Sequence, residues 1–176
     1  CLVYSNLFNN KTVLVSGHTG FKGSWLSVWL SNLGAKVIGF SNLVPTNPSH
    51  YELIKSLFAQ DLRIDIRDSE SVYAVIHENK PNFIFHLAAQ PIVLESFQDP
   101  LHTFNTNAIG TANILDALPR TNHECTAIMI TSDKCYENVE RDYGYYEKDR
   151  LGGKDPYSGS KGAAELIINS YVQSFF

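Results

Sequence analysis

The sequence predicts an α/β fold in which a doubly wound parallel sheet carries helices on both faces. Short runs rich in β-branched residues alternate with segments whose apolar residues recur at helical spacing. The run at 83–87 is apolar almost throughout, as expected for a strand covered on both faces. Strands that alternate with helices form right-handed βαβ units, and successive units of this kind build a parallel sheet.

The first half of the chain contains three predicted strands. The strand at 12–16 ends at a glycine-rich turn, and the helix over 24–33 stops before Gly34, a residue type common just past a helix end. Trp25 and Trp29 are four residues apart in that helix, and we expect both to pack in the core. The elements predicted next are a strand at 36–40, a helix at 51–57 and a strand at 62–66.

The second half continues the alternation with two strands. A helix over 69–79 stops before Pro81. Asp99 and Pro100 have the pattern of an N-cap and a first helical residue, and they open a helix to about 118. Strands are predicted at 83–87 and 126–131. The tyrosine-rich stretch at 136–155 is irregular, and a loop of that length is usually functional or disordered.

The composition favours a single domain over 1–176 that binds a small molecule. The net charge of −4 and the absence of a basic run argue against binding to nucleic acid or to a membrane surface. No apolar run reaches the roughly 18 residues of a membrane span, and the N-terminus lacks signal-peptide features, so we expect a cytoplasmic protein. Cys1, Cys125 and Cys135 do not have metal-ligand spacing and are expected to be free thiols, with no bound metal.

Gly17, Gly20 and Gly23 lie between the first strand and its helix. In this position backbone N–H groups at a helix N-terminus bind a pyrophosphate, and glycines permit the close approach. A tight turn that packs helix on strand is the alternative. The place of the pattern after the first strand of an alternating chain favours a Rossmann-like domain that binds a dinucleotide.

The end of the second strand bears on which dinucleotide is bound. The carboxylate that usually binds a ribose 2′-hydroxyl is missing, because Ser41 and Asn42 stand there. Ribose recognition must therefore be partly different. No lysine or arginine in 37–54 is available for a 2′-phosphate, although Lys22 could approach one. We favour NAD.

The ends of the third and fourth strands supply further candidates. Asp65, followed by Ile66, is placed to accept a hydrogen bond from an adenine amino group, and a helix-capping role is the alternative. His86 is expected to be a structural histidine. Ala88 and Ala89 are small enough to let a cofactor approach the backbone.

The candidate catalytic residues follow the fifth strand. Ser132, Asp133 and Lys134 lie at the carboxyl edge of the predicted sheet, where ligands of such folds bind. Tyr157 and Lys161 share one helix face, so the ammonium can favour the ionised phenol. Taken alone, residues 132–134 are equally typical of an ordinary turn at a strand end. Taken alone, Tyr157 and Lys161 are typical of a solvated helix face. Together they favour a shared catalytic cleft.

These patterns resemble the extended short-chain dehydrogenase/reductase family of nucleotide-sugar enzymes, and within it the 4,6-dehydratases that act on CDP-glucose. The resemblance rests on the glycine pattern, Asp65-Ile66, the segments 86–89 and 107–111, and the pair formed by Tyr157 and Lys161. Sister dehydratases for dTDP- and GDP-sugars carry Thr-Asp-Glu where this chain has Ser-Asp-Lys, so Lys134 is a diagnostic residue.

The resemblance implies a lyase that converts CDP-D-glucose to CDP-4-dehydro-6-deoxy-D-glucose with NAD, for deoxysugar and lipopolysaccharide biosynthesis. Tyr157 would take the C4 hydroxyl proton, Ser132 would bind the C4 oxygen, and Asp133 would protonate the C6 hydroxyl. Lys161 would hold the cofactor ribose and lower the pKa of Tyr157. Lys134 would act as the C5 base or, if charged, would stabilise the enolate-like oxygen or orient Asp133. The implied cofactor-binding residues are Gly17, Thr19, Gly20, Phe21, Lys22, Gly23, Asp65, Ile66, Leu87, Ala88, Ala89, Asn107, Tyr157 and Lys161.

Further expectations follow from the same resemblance. Family members continue into later strands and a C-terminal substrate domain that this sequence lacks, and they commonly form homodimers through the helices that are here at about 99–118 and 156–176. An epimerase or reductase of the family would use Tyr157 and Lys161 without needing Asp133 and Lys134. A non-catalytic dinucleotide-binding fragment is the remaining alternative.

Overall fold

The computed structural model describes residues 6–176, and it confirms the predicted doubly wound sheet. The strands are all parallel and lie in the order β3-β2-β1-β4-β5. The winding reverses between β1 and β4, so the crevice at their carboxyl ends is the place where ligands of such sheets bind. The strand bounds are β1 Thr12–Ser16, β2 Lys36–Ser41, β3 Gln60–Arg63, β4 Phe83–His86 and β5 Thr126–Met129.

Helices connect the strands and follow the last of them. Short 3₁₀ turns lie at Lys55–Leu57 and Asp133–Cys135, and a π-helical segment, Asn105–Ile109, joins α5 to α6. Within residues 6–176 no helix has both the length and the apolar character needed to cross a bilayer. The helix bounds are α1 Phe21–Asn32, α2 His50–Ile54, α3 Ser69–Asn79, α4 Val93–Gln98, α5 Pro100–Phe104, α6 Gly110–Thr121 and α7 Pro156–Phe175.

The sheet separates two apolar clusters. On one side Leu14 and Ile84 pack with helices α3 and α6. On the other side Val13 and Val15 pack with Leu30 of α1. Successive residues of a strand point to opposite faces, so β1 is apolar throughout because both of its faces are covered.

The predicted bounds agree best where a capping residue marks them. Helix α3 has the predicted limits, and the Asp68 carboxylate accepts a hydrogen bond from the N–H of Ser71 at its start. The predicted long helix begins after Asp99 but contains the π segment and continues to Thr121. Helix α4 was not predicted, because its six residues are too few to show a helical period.

The prediction that Trp25 and Trp29 pack in the core is wrong. The two indoles are 53% and 54% exposed, and Trp25 stacks on His50 with ring centroids 4.2 Å apart. Helix α1 instead buries its small residues, among them Gly23 and Ser27. Small side chains let the helix lie close to the sheet, which leaves the large rings on the side away from it.

Cys125 and Cys135 are free thiols, as predicted, while Cys1 lies outside the described residues. Burial raises the pKa of both described thiols to about 11. They are therefore protonated at neutral pH and suited to packing rather than to nucleophilic chemistry.

Gly39 in β2 makes room for a buried histidine of the glycine-rich turn. A Cβ at Gly39 would lie 2.4 Å from the imidazole carbon Cδ2 of His18. The ring cannot withdraw easily, because its Nε2 is 2.8 Å from the Asp61 carboxylate and the side chain is fully buried.

We expect Gly39→Ala to lower the free energy of unfolding by about 1–3 kcal/mol, the usual cost of overpacking a core. Urea unfolding followed by circular dichroism measures this change. Gly144→Ala is the matched control, because a Cβ at Gly144 has no atom within 4 Å. Equal stability of the two variants would contradict the proposed steric role of Gly39.

Candidate active site

The turn between β1 and α1 packs too closely for side chains at two of its glycines. Gly17 has a φ of +75°, and a Cβ there would lie 2.7 Å from the backbone nitrogen of Ala88. A Cβ at Gly23 would lie 2.2 Å from the carbonyl oxygen of Gly17. The glycines thus bring the start of α1 and the segment after β4 together at the crevice between β1 and β4.

The N-terminus of α1 is open to an anion. Its N-cap, Gly20, has no side chain to bond the first N–H groups, and the first turn contains no acidic residue. Phe21 and Lys22 are exposed there. Uncapped N–H groups and the helix dipole favour a pyrophosphate, so the turn fits the predicted dinucleotide.

Thr19 stabilises this turn through a hydrogen bond within the protein, and its hydroxyl is not exposed. The side chain is 4% exposed, and its hydroxyl donates a 2.7 Å hydrogen bond to the carbonyl oxygen of Leu43. The bond ties the turn to the segment after β2. Thr19 is therefore placed to shape a cofactor site rather than to offer its hydroxyl to it.

Asp65 does not cap a helix, so the alternative interpretation of this residue is wrong. Asp68 caps α3 instead. The Asp65 carboxylate forms a 2.6 Å ion pair with Arg67, whose hydrogen bonds hold the pKa of Asp65 below its usual value. The neighbouring Ile66 is buried against Gly110, where an added Cβ would come within 2.9 Å of it. Part of the hydrogen-bonding capacity of Asp65 is thus already used by Arg67.

His86 is a buried structural histidine, as predicted. Its Nδ1 lies 2.7 Å from the Ser16 hydroxyl, which also accepts hydrogen bonds from the N–H groups of Leu87 and Ala88. With both N–H groups directed at it, the hydroxyl must donate its proton to Nδ1. Nε2 then carries the ring proton and donates to the Thr111 hydroxyl at 3.2 Å. This assignment makes the ring neutral, in agreement with burial, which lowers the pKa of His86 to about 3.

Asn107 links this network to α7. Its amide oxygen accepts a hydrogen bond from the N–H of Gln90, and its amide nitrogen donates to the carbonyl oxygen of Gln90 and to the Ser160 hydroxyl. Ser160 in turn donates to the carbonyl oxygen of Tyr157. Asn107 is 1% exposed. Its contribution to the site is therefore to fix the loop after β4 against α7.

The residues predicted after β5 form one compact turn. The Ser132 hydroxyl accepts a 3.2 Å hydrogen bond from the N–H of Lys134 and donates to the Asp133 carboxylate at 3.1 Å. Asp133 and Lys134 are exposed. The turn therefore presents a carboxylate and an ammonium side by side at the carboxyl edge of the sheet.

A cleft of about 410 Å³ joins this turn to the start of α7. Asp133 and Lys134 line it together with Asp155 and Ser158. Asp155 is the N-cap of α7, and its carboxylate accepts a 2.9 Å hydrogen bond from the N–H of Ser158. The cleft thus joins the strand end to the first turn of α7, but neither Tyr157 nor Lys161 is among its lining residues, so the predicted sharing of one cleft by these two groups stays a prediction.

Tyr157 and Lys161 lie one turn apart on α7. Tyr157 is half-buried and Lys161 is 7% exposed. Burial lowers the pKa of Lys161. Lys22 at the start of α1 lowers it further. A phenol and a buried ammonium one turn apart on a helix are suited to proton transfer.

Comparison with known proteins places the chain in a family. The sequence model of the GDP-mannose 4,6 dehydratase family matches residues 14–175. The chain belongs to this family. It is 44% identical over 176 residues to CDP-glucose 4,6-dehydratase of Salmonella typhimurium, a match that covers 99% of this chain and 49% of that protein. The resemblance found in the sequence motifs is thereby confirmed.

Other relatives are named for reactions other than 4,6-dehydration. CDP-paratose 2-epimerase of Salmonella typhi is 30% identical over 93% of this chain and 53% of its own length. The structure of UDP-glucose 4-epimerase from Thermus thermophilus in complex with NAD has a TM-score of 0.81 and 31% identity, covering 93% of this chain and 51% of that one. The chain spans about half the length of the curated relatives it matches.

A polar cluster beside the glycine-rich turn was not predicted in this family member. The Asp61 carboxylate accepts hydrogen bonds from Arg63 at 2.7 Å and from the Tyr51 hydroxyl, in addition to its contact with His18. These side chains come from the turn, α2 and β3. These residues are far apart in sequence, so no local pattern connects them. The signal that could have found one of them is the histidine that stands between Gly17 and Gly20.

We expect the neutral state of His86 to make stability fall in mild acid. Between pH 6.5 and about 3 the His86 ring is protonated in the unfolded chain but neutral in the folded protein. The contribution of this ring to the free energy of unfolding is therefore complete above pH 6.5 and decreases as the pH falls. The loss is about 1.4 kcal/mol per pH unit, or about 2 kcal/mol between pH 6.5 and 5. Urea unfolding at a series of pH values measures it.

The variant His86→Gln should be less stable at pH 7 and should lose about 2 kcal/mol less than the parent on moving to pH 5. His77→Gln, which replaces an exposed histidine stacked on Tyr73, is the matched control. A pH dependence that is the same in His86→Gln and in the parent would show that the ring is not the titrating group.

Proposed function

We propose that the chain is the NAD-binding domain, residues 1–176, of an enzyme that converts CDP-D-glucose to CDP-4-dehydro-6-deoxy-D-glucose. The observation that carries the proposal is the placement of Asp133 and Lys134 in one cleft with the first turn of α7. The 44% identity to a CDP-glucose 4,6-dehydratase supports the choice of substrate.

The crevice between β1 and β4 is the proposed NAD site. The close packing at Gly17 and Gly23 and the uncapped start of α1 would receive the pyrophosphate, and the buried ammonium of Lys161 would bind a ribose hydroxyl. Structural relatives solved with NAD, at 31% and 26% identity, support this choice of dinucleotide. NAD bound there would supply the chemistry of C4 oxidation and of hydride return to C6.

The residues around the cleft have separate tasks in this proposal. Tyr157 takes the proton of the C4 hydroxyl as the sugar is oxidised, and the Lys161 charge favours its phenolate form. Ser132 donates a hydrogen bond to the C4 oxygen. The ketone formed at C4 acidifies the C5 hydrogen. Lys134, as the neutral amine, takes the C5 proton while Asp133 gives its proton to the C6 hydroxyl, which leaves as water. The resulting ammonium of Lys134 stabilises the negative charge that develops on the C4 oxygen and returns the proton to C5 as C6 is reduced.

We also propose a homodimer formed through α5, α6 and α7. Large apolar side chains are exposed on α5, on the π segment and on α7, among them Leu101, Ile109, Leu166 and Phe175 at 75%, 48%, 60% and 61%. Exposed apolar residues that line neighbouring helices are typical of interaction surfaces. A second copy of the protein is the partner proposed for them.

We expect Tyr157→Phe in the complete protein to lower turnover of CDP-glucose by at least about 10²-fold, because the base for the C4 proton is removed. Formation of the 4-keto-6-deoxy sugar is followed by its alkali-induced absorbance. Tyr146→Phe, at a tyrosine that is 64% exposed in the loop after β5, should retain parent activity. Near-parent turnover in Tyr157→Phe would exclude this residue as the base.

Asp133→Asn tests the assignment that separates a dehydratase from an epimerase. The C4 oxidation does not need Asp133, so reduced dinucleotide should accumulate when CDP-glucose is added, while product formation falls by about 10²-fold. The near-ultraviolet absorbance of the reduced nicotinamide measures the first quantity. Asp142→Asn, in the exposed part of the same loop, is the control. Normal product formation would refute the role of Asp133, and a 4-epimer in place of the deoxysugar in the parent would refute the dehydratase.

A further inference from the structure

Glu165 lies one turn beyond Lys161 on α7, and the two residues share a helix face. The Glu165 carboxylate accepts a hydrogen bond from the hydroxyl of Thr131, the residue that precedes Ser132 in the turn after β5. A single side chain therefore joins the helix that carries Tyr157 to the strand end that carries the rest of the candidate site.

Lys161 needs a negative partner because of where it lies. It is 7% exposed, and within residues 6–176 its ammonium forms no hydrogen bond or ion pair with a protein group. A buried ammonium without such a partner tends to lose its proton. Any device that keeps it charged must act through the field of nearby groups.

The charged and titratable groups around Lys161 come from four elements. Lys22 in α1 lowers the pKa of Lys161, whereas Glu165 in α7 and, more weakly, Cys135 in the turn after β5 raise it; burial has the largest effect and lowers it. His86 at the end of β4 is neutral, since its pKa is about 3. Cys135 is protonated at neutral pH, so Glu165 supplies the negative charge in this set. Tyr157, one turn before Lys161 on α7, adds a second negative charge only as the phenolate proposed for the reaction.

We propose that Glu165 is a positioning residue of the site: its carboxylate keeps the buried Lys161 protonated and, through Thr131, holds α7 against the end of β5. The catalytic part of this inference rests on the proposed function, because the charge on Lys161 matters there for the phenolate of Tyr157. Tyr157, Lys161 and Glu165 follow one another at intervals of four residues. The hydrogen bond from Thr131 restrains the carboxylate on that face.

Two substitutions separate the charge of Glu165 from its hydrogen bond. Glu165→Gln keeps the shape and an oxygen that can accept from Thr131, but removes the charge. Thr131→Val removes the hydrogen bond and leaves the charge. Far-ultraviolet circular dichroism and urea unfolding establish that each variant folds.

The first measurement does not depend on activity. The complete protein is labelled with ¹³C,¹⁵N-lysine, the side-chain signal of Lys161 is assigned with Lys161→Met, and its pKa is measured by nuclear magnetic resonance. Glu165→Gln should lower that pKa by about one unit, whereas Thr131→Val should change it by less than half as much. An unchanged pKa in Glu165→Gln would overturn the proposal. If Glu165→Gln does not fold, Glu165→Asp should give an intermediate lowering, and no lowering there would overturn it equally.

The second measurement is the pH profile of kcat/KM for CDP-glucose. Activity requires charged Lys161, so the alkaline limb should move to lower pH in Glu165→Gln. For a shift of about one unit, the ratio of variant to parent activity should fall by up to about tenfold as pH rises through that limb. Thr131→Val should keep the parent limb. A merely structural role for Glu165 would lower activity equally at every pH in both variants, and that result would overturn the inference.

The two measurements also separate this inference from the function on which it rests. If the parent protein does not turn over CDP-glucose, the proposed function fails, and the lysine titration still decides whether Glu165 controls Lys161. If the parent is active and Lys161 titrates identically in Glu165→Gln, the function stands and the inference fails.

Discussion

The geometry of the site depends on one buried hydroxyl, that of Ser16 at the end of β1. It is fully buried, accepts hydrogen bonds from the N–H groups of Leu87 and Ala88, and donates to His86. One atom thereby satisfies three polar groups at the end of β4, between the two strands where the sheet reverses its winding. Unsatisfied buried N–H groups are costly, so this arrangement fixes the distance between the strand ends. With the strand ends fixed in this way, Gly17 lies so close to Ala88 that a residue with a Cβ would not fit.

The same network carries this geometry from the sheet to α7. His86 donates to the Thr111 hydroxyl, which in turn donates to the carbonyl oxygen of Asn107. The side-chain amide of Asn107 then donates to the Ser160 hydroxyl. Asn107 lies in the π segment, and such segments often occur at functional sites because they redirect side chains from the regular helical pattern. A fully satisfied buried polar network is rigid. The carbonyl oxygen of Tyr157, at the end of this network, is therefore held relative to the ends of β1 and β4.

The sequence predicted those features that arise from local chemistry. Alternating periods identified the strands, the glycines marked the turn, and the four-residue spacing of Tyr157 and Lys161 placed both on one face of α7. It failed where tertiary packing decides the outcome. Trp25 is a residue type common in cores, but the smaller residues of α1 took the buried face. His18 and Asp61 are 43 positions apart in sequence, so no helical or strand periodicity indicates that they are in contact. Glu165 was missed for a related reason, since its importance depends on Thr131, 34 residues away.

The site divides into a rigid part and an exposed part, and the proposed chemistry follows that division. Lys161 and the hydrogen-bonded groups of Asn107 and Ser160 are buried. In the proposed function they serve an oxidation that epimerases and dehydratases would have in common. Asp133 and Lys134 lie in an exposed turn whose only internal hydrogen bonds, among the described residues, come from Ser132 and the backbone. Substitutions of Asp133 and Lys134, unlike one of the buried Cys135 in the same turn, remove no core contact, so these two side chains can change at little cost in stability. A shared fold can therefore carry different reactions, because the groups proposed to direct the sugar toward loss of water are those least tied to the core.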